Sequence, residues 1–560
     1  MTPVVTLADE MFEAVLDAFP VGASVLGIPG RDDRLPDYTE AAGAALDAKV
    51  TGLAARAEAV DPAGIDATDR VTRLVMIQQG QAFHDRTTAR LIEFAITDLF
   101  TAPVSELLSM LPLVPITSPE AADGYLARLA AFPRAVEQLA DRHRAGIAAG
   151  RLPVAHLVRS AIAQIDRYVA AGDSDPLRRP DPQDGVPVDA GAFRARRDQL
   201  LAEVVRPALR RYGDFLESEI LRHGRPAERG GLCYLPGGDD IYALLIRGHT
   251  TTTRTAEELH QTGLDVIARL AEEYARIGAD AFGISDPAAV MHRLKTDPAL
   301  RWRDGEELLA AARLAIARAE REAPKWFGRL PSQSCVVEPV PDEDAPGSPG
   351  AYYMQPALDG SRPGTYYANT YQAHERERHS SESVAFHEAV PGHHFQLTLA
   401  QELTDLPMLR RLAQVTAFDE GWGLYAERLA DEMGLYSGPI DRLGMLAADS
   451  MRAARLVVDT GIHAKGWSRA QVVEFLSENT PMMPLDIDAE TDRYIADPGQ
   501  ALAYMVGRLE IQRIRADAEA AMGARFDIRA FHDLVLGQGP IPLSVLDDLV
   551  REWTTAAQPG

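Results

Sequence analysis

The chain has 560 residues, of which 46% are hydrophobic and 25% charged, proportions of an ordinary globular protein long enough to bury a large core. Its 82 acidic side chains outnumber 57 basic ones, and a net charge of −25 excludes the basic stripe that nucleic-acid binding requires. No uncharged apolar run reaches the length of about 18 residues that a spanning helix needs, so no membrane role is expected.

The first twenty residues carry Asp9, Glu10 and Glu13 where a signal peptide would be basic and then apolar, so the expected location is cytoplasmic. Helical periodicity predicts amphipathic helices over 37–59, 66–111, 118–148, 155–170 and 190–223, with a polar, proline-rich loop at 171–189. The glycine-rich stretch 229–250 reads as irregular. Thr255 and Glu258 then have the spacing of a capping box at a helix start. The two cysteines, Cys233 and Cys335, lack metal-ligand spacing and read as reduced thiols.

Residues 333–371 change character. SCVVEPV, AYYMQPA and GTYYANTY are short β-branched or aromatic runs broken by Pro and Gly, and they predict a small antiparallel sheet. Alternation would put Tyr367, Asn369 and Tyr371 on one face, where an extended peptide could pair with the strands. From 381 onward the chain reads as helical again. The expected division is an N-terminal helical region, 1–228, and a catalytic region, 229–560, forming one continuous body. The sheet (333–371) and the metal-binding helices (381–430) belong to the second region.

The stretch FHEAVPGHHFQ, 386–396, poses the chemical question. A zinc helix has the pattern His-Glu-x-x-His, but His393 follows His387 by six residues. On a straight helix the two would point about 240° apart. Pro391 lacks an N–H and Gly392 tolerates unusual dihedrals, so a two-residue bulge could restore His393 to the fourth position. His394 is the less economical alternative. The later segment AFDEGWGLYAERLADEMG offers Glu420 as third ligand, with Glu427 as alternative or supporting partner. Glu388 would then be the general base.

In DSMRAARLVVDTGIHAKGW, Arg455, Asp459 and His463 form an i, i+4, i+8 stripe. Asp459 could orient His463 as an oxyanion donor, or Arg455 and Asp459 could form a buried ion pair. Arg455 is also a candidate for binding a substrate carboxylate. ADPGQALAYMVGRLE places Gln500 and Tyr504 four apart, with Tyr504 a candidate oxyanion donor and Gln500 a candidate substrate contact.

Together these segments resemble the bacterial family labelled "domain of unknown function 885". The motifs run in order from GGLCYLPGGDDIYALLIRGHTTTTRTAEELHQTGL through PGTYYANTY, HEAVPGHHFQ, FDEGWGLYAE and RLVVDTGIHAKGW to DPGQALAYMVG, across about residues 230–510. That family is similar in fold to helical zinc carboxypeptidases of the carboxypeptidase Taq type. The resemblance implies a mainly α, two-lobed fold with a deep cleft and a metal on its floor. It also implies His387, His393 and Glu420 as ligands, with the segments around His463 and Tyr504 lining the cleft. Those enzymes have an uninterrupted His-Glu-x-x-His, which this chain lacks. The expected function is a one-zinc metallopeptidase, a carboxypeptidase or oligopeptidase, acting on a peptide or small amide. The alternatives are a zinc amidase or esterase on a small metabolite and a non-catalytic helical binding protein. Whether the chain is a monomer or a homodimer is left open.

Overall fold

A computed structural model describes residues 2–341, 345 and 349–556. The molecule is mainly helical, with one small three-stranded sheet. The predicted helix at 118–148 runs Pro119–Ala148, opened by the Ser118 hydroxyl accepting from the Ala121 N–H (3.1 Å) and by Pro119, whose missing N–H costs nothing there. Thr255 and Glu258 form both bonds of the capping box at the start of Ala256–Phe282. The predicted helix 190–223 is one helical path containing two π turns, Leu201–Val205 and Leu216–Ile220.

Three expectations need correction. The segment 66–111 is not one helix: Ala67–Ala89 ends at Arg90, which is left-handed (φ 55°), and a new helix starts at Pro103. The break is held by the wholly buried Glu93, which pairs with Arg90, Arg142 and Arg151. The stretch 229–250 is irregular only as far as Gly237. From there Gly238–Thr250 is helical, with Asp239 and Asp240 in its first turn, where the helix dipole favours them. Tyr242, Leu245 and Ile246 supply its buried face at i, i+3 and i+4.

The third correction concerns the sheet, which is mixed rather than antiparallel. Its strands are β1 (Val336–Pro339), β2 (Ala351–Met354) and β3 (Thr365–Ala368), in the order β1-β3-β2, with β1 parallel and β2 antiparallel to β3. The last strand is the most buried and takes the centre. A parallel pair needs a long crossover, and β2 lies within it.

Burial does not follow a boundary at 228. Leu409 joins the core of helices Pro3–Ala18 and Glu40–Glu58. Val154 and Leu157 pack with Ala454, Val458 and Ile462 of the long helix Pro439–His463. The N-terminal helices therefore buttress the elements that carry the site. Both cysteines are free thiols, and among the described residues no helix is long and apolar enough to cross a membrane.

Candidate metal centre

The histidine motif is not a bulged helix but a break between two. The first histidine helix, Ser381–Glu388, stops at Ala389, the Val390–Pro391 peptide is cis, and the second, His393–Glu402, begins after Gly392. A Cβ at Gly392 would lie 1.8 Å from the His387 carbonyl oxygen, so only glycine lets the chain fold back this closely. The fully buried Trp422 donates from Nε1 to the Pro391 carbonyl (2.9 Å) and holds the turn.

That fold-back brings the two rings together edge-on, with centroids 4.8 Å apart. Helix Thr416–Glu432 approaches from the other side. Its Gly423 makes room, since a Cβ there would sit 2.7 Å from His387 Cε1. The His387 and His393 Nε2 atoms lie 3.6 and 3.3 Å from Glu420 Oε2, and one donor atom from each of the three residues falls within 4.8 Å of the others. Ligand bonds of about 2.0–2.1 Å in tetrahedral geometry imply edges of about 3.3 Å, so the spacing suits a shared zinc ion. His393 Nδ1 is buried without a partner among the described residues.

His394 is excluded from this group. A helix turns about 100° per residue, so adjacent histidines face different ways. His394 Nε2 donates to the Gln333 carbonyl and its Nδ1 accepts from the Tyr353 hydroxyl, both at 2.9 Å, tying the helix to the sheet. Glu427 supports His387 instead of joining the set. It accepts from His387 Nδ1 at 2.8 Å and from the Ser383 hydroxyl, fixing which nitrogen of His387 faces Glu420.

Burial alone would lower the His387 pKa, but Glu420 and Glu427 outweigh it and raise it to about 9. Burial would likewise raise Glu420, yet the two imidazoles hold it well below the usual carboxylate range. Glu388 behaves oppositely. Desolvation lifts its carboxyl above the normal value, against the pull of His387, His393 and Arg452, and it has no hydrogen-bond partner among the described residues. Tyr504 stacks on His387 (6.3 Å, 19°), and its hydroxyl accepts from Arg493 Nη2 at 3.3 Å, which leaves the phenolic hydrogen free to be donated. Gln500 Oε1 accepts from the same Arg493 nitrogen (2.8 Å). Arg455 lies over the Tyr504 ring at 4.5 Å and pairs with Glu490.

Other expected site residues lie elsewhere. His463 is fully buried, with Nδ1 accepting from the Leu232 N–H and Nε2 donating to the Tyr494 carbonyl, so it has no nitrogen for an oxyanion. Asp459 neither orients His463 nor pairs with Arg455: it accepts from the Tyr242 hydroxyl (2.5 Å) and the Gly499 N–H (3.1 Å). Because β3 ends at Ala368, the strand alternation never reaches Asn369 or Tyr371. Asn369 is buried and donates to the Ala345 and Pro349 carbonyls, while Tyr371 is exposed. Tyr367 stacks on Tyr352 at 5.1 Å. It is the neighbouring Tyr366 that comes within electrostatic reach of Glu388.

The family model described as "bacterial protein of unknown function (DUF885)" matches residues 20–550. The chain belongs to that family. The match takes in the N-terminal helices after Pro3–Ala18 as well, beyond the 230–510 segment that carries the motifs. Among solved structures, the crystal structure of "the putative lipoprotein from Colwellia psychrerythraea" is similar with a TM-score of 0.92 and 27% identity, over 99% of both chains. A "putative lipoprotein of unknown function from Shewanella oneidensis" shares the fold at TM-score 0.74 and 18% identity, over 98% of this chain and 100% of that one. No curated protein matches.

Several residues around the centre escaped sequence reasoning. Ser383 stands four before His387, a spacing that could have revealed it. Arg452, Glu490, Arg493 and Tyr494 carry no such signal, because their relation to the centre depends on how three helices pack.

Proposed function

We infer that this DUF885 protein is a zinc-dependent hydrolase, most simply a metallopeptidase of the carboxypeptidase or oligopeptidase kind. The observation carrying this reading is the convergence of His387 Nε2 and His393 Nε2 on Glu420 Oε2, at 3.6 and 3.3 Å, with one donor atom from each residue within 4.8 Å of the others and the Glu388 carboxylate next in the chain to His387. Two imidazoles and one carboxylate are a catalytic zinc set, which leaves a fourth position open. A cleft between two helical lobes, as in enzymes of the carboxypeptidase Taq type, is the architecture that would admit a peptide to it.

When bound, zinc acidifies a water molecule and polarises a carbonyl. Glu388, with its carboxyl raised by burial, takes the proton from the attacking water and passes it to the leaving amine. Tyr504 donates its hydroxyl hydrogen to the oxygen that becomes charged, while Arg493 holds the phenol in place. Glu427 and Ser383 keep the His387 ring oriented.

Elemental analysis of the purified chain tests the metal, with one zinc per chain expected. A panel of short peptides beside acylated small molecules tests the substrate, with peptides expected to be cut faster. A chain that neither carries zinc nor is stabilised by adding it would be a helical binding protein instead. The cytoplasmic location expected from the acidic N-terminus contrasts with the lipoprotein description of both structural relatives, and fractionation of the native host decides between cytosol and envelope.

A further inference from the structure

The long helix Pro439–His463 lays two arginines against Tyr504, the ring that stacks on His387. Arg455 lies 4.5 Å and Arg452 5.8 Å from the Tyr504 centroid, and Arg493 reaches the same hydroxyl. Three guanidinium groups thus surround one phenol beside the proposed metal centre. Among the described residues only one carboxylate, Glu490, is fully committed to them: it accepts from Arg455 at 2.8 Å and from Arg493 at 3.3 Å.

Arg452 is the least satisfied of the three. Its Nη2 is 3.9 Å from Glu427 Oε1, too far for a hydrogen bond, and its Nη1 reaches only the Ala448 carbonyl at 3.5 Å. Its Nε is buried without a partner among the described residues, as is Nη1 of Arg455. Glu427 has no need of Arg452, since it already holds His387 and Ser383. Other arginines of the helical core are paired at hydrogen-bond distance: Arg428 bonds Glu273 at 2.7 Å and the buried Arg508 bonds Asp449 at 2.5 Å. A largely buried guanidinium whose one carboxylate neighbour stands 3.9 Å away is better satisfied when a closer anion arrives. A carboxylate matches its planar fork with two parallel bonds.

We propose that the substrate is an amide or peptide whose amine side bears a free α-carboxylate, bound by Arg452 with Arg455 behind it. The centre would then remove a terminal amino acid rather than cut within a chain. This rests on the hydrolase reading. It adds a residue, Arg452, as the determinant of that specificity.

The test uses a panel of N-acylated dipeptides, each offered as free acid and as C-terminal amide to the zinc-loaded full chain. For the wild type, kcat/KM is expected to favour the acid at least 50-fold. In Arg452→Met the acid-to-amide ratio should fall at least tenfold, and Arg452→Lys, which keeps the charge but loses the fork, should recover part of it. A wild-type ratio within threefold of one, or a loss in Arg452→Met that is equal for acid and amide, overturns the proposal. If neither form is cut, the hydrolase reading fails by itself, and the carboxylate site is judged by calorimetry on Glu388→Gln. There the acid should bind at least tenfold more tightly than the amide, with the advantage lost on adding Arg452→Met. Equal binding overturns it.

Discussion

Two buried histidine groups in this molecule look alike on paper and differ in kind. Around His463, every ring nitrogen has a backbone partner and the nearby Asp459 is occupied by Tyr242 and Gly499. Around His387 and His393, the Nε2 atoms face a carboxylate at distances longer than ordinary hydrogen bonds, and His393 Nδ1 is buried without a hydrogen-bond partner among the described residues. Buried polar groups in a purely structural role are satisfied. Convergence of two imidazoles and a carboxylate on one point, rather than mere burial, separates the group proposed to hold a ligand from the group that holds helices together.

The strongest way to break this contrast is Glu420→Ala. Removing the one carboxylate shared by both imidazoles should take bound zinc from one per chain to under a tenth, by elemental analysis; full retention would mean the metal sits elsewhere. Glu388→Gln separates base from ligand. It should keep the zinc and lose about 10²–10⁴-fold in turnover, the usual loss for a general base, and a wild-type rate would refute the assigned role. Glu427→Gln is milder. With His387 Nδ1 no longer held by a charged acceptor, zinc affinity should weaken about 10–100-fold, read by competition with a chelator.

The smallest effect on the metal belongs to the other group. His463→Gln should leave zinc stoichiometry untouched and act on stability alone. Burial holds the native His463 pKa down to about 4, against 6.5 for a free imidazole, so the folded chain keeps this ring neutral where the unfolded one protonates it. Its contribution is present above pH 6.5 and is lost as pH falls from 6.5 towards 4. That amounts to on the order of 3 kcal/mol over the window. Denaturant titrations across this range should show a slope shallower by about one proton in the variant; an unchanged slope would show that His463 already titrates freely in the folded state.

Much of the helical framework is legible in the order of the amino acids. Helix 118–148 begins where Ser118 and Pro119 say it should, helix 155–170 follows its apolar period, and the Thr255–Glu258 pair caps as its spacing implies. The same signals overrun at Arg90, because a buried carboxylate with three arginines stops a helix that periodicity would continue. At 238–250 the glycines mask a helix whose apolar face is present all along. The sheet direction escapes such a reading because strands of four residues carry no record of which neighbour they will join.

Local composition determined which residues were available: a histidine pair split by Pro391 and Gly392, carboxylates seven apart at 420 and 427, and an arginine-rich helix. Those depend on backbone preferences acting over a few residues, so spacing alone exposes them. Packing decided the rest. It turned His393 towards Glu420 and His394 towards Tyr353, occupied both nitrogens of His463, and left Arg452 without a hydrogen-bonded anion among the described residues. The direction of a ring nitrogen or a guanidinium is set by partners tens or hundreds of residues away, and such distances leave no period in a sequence.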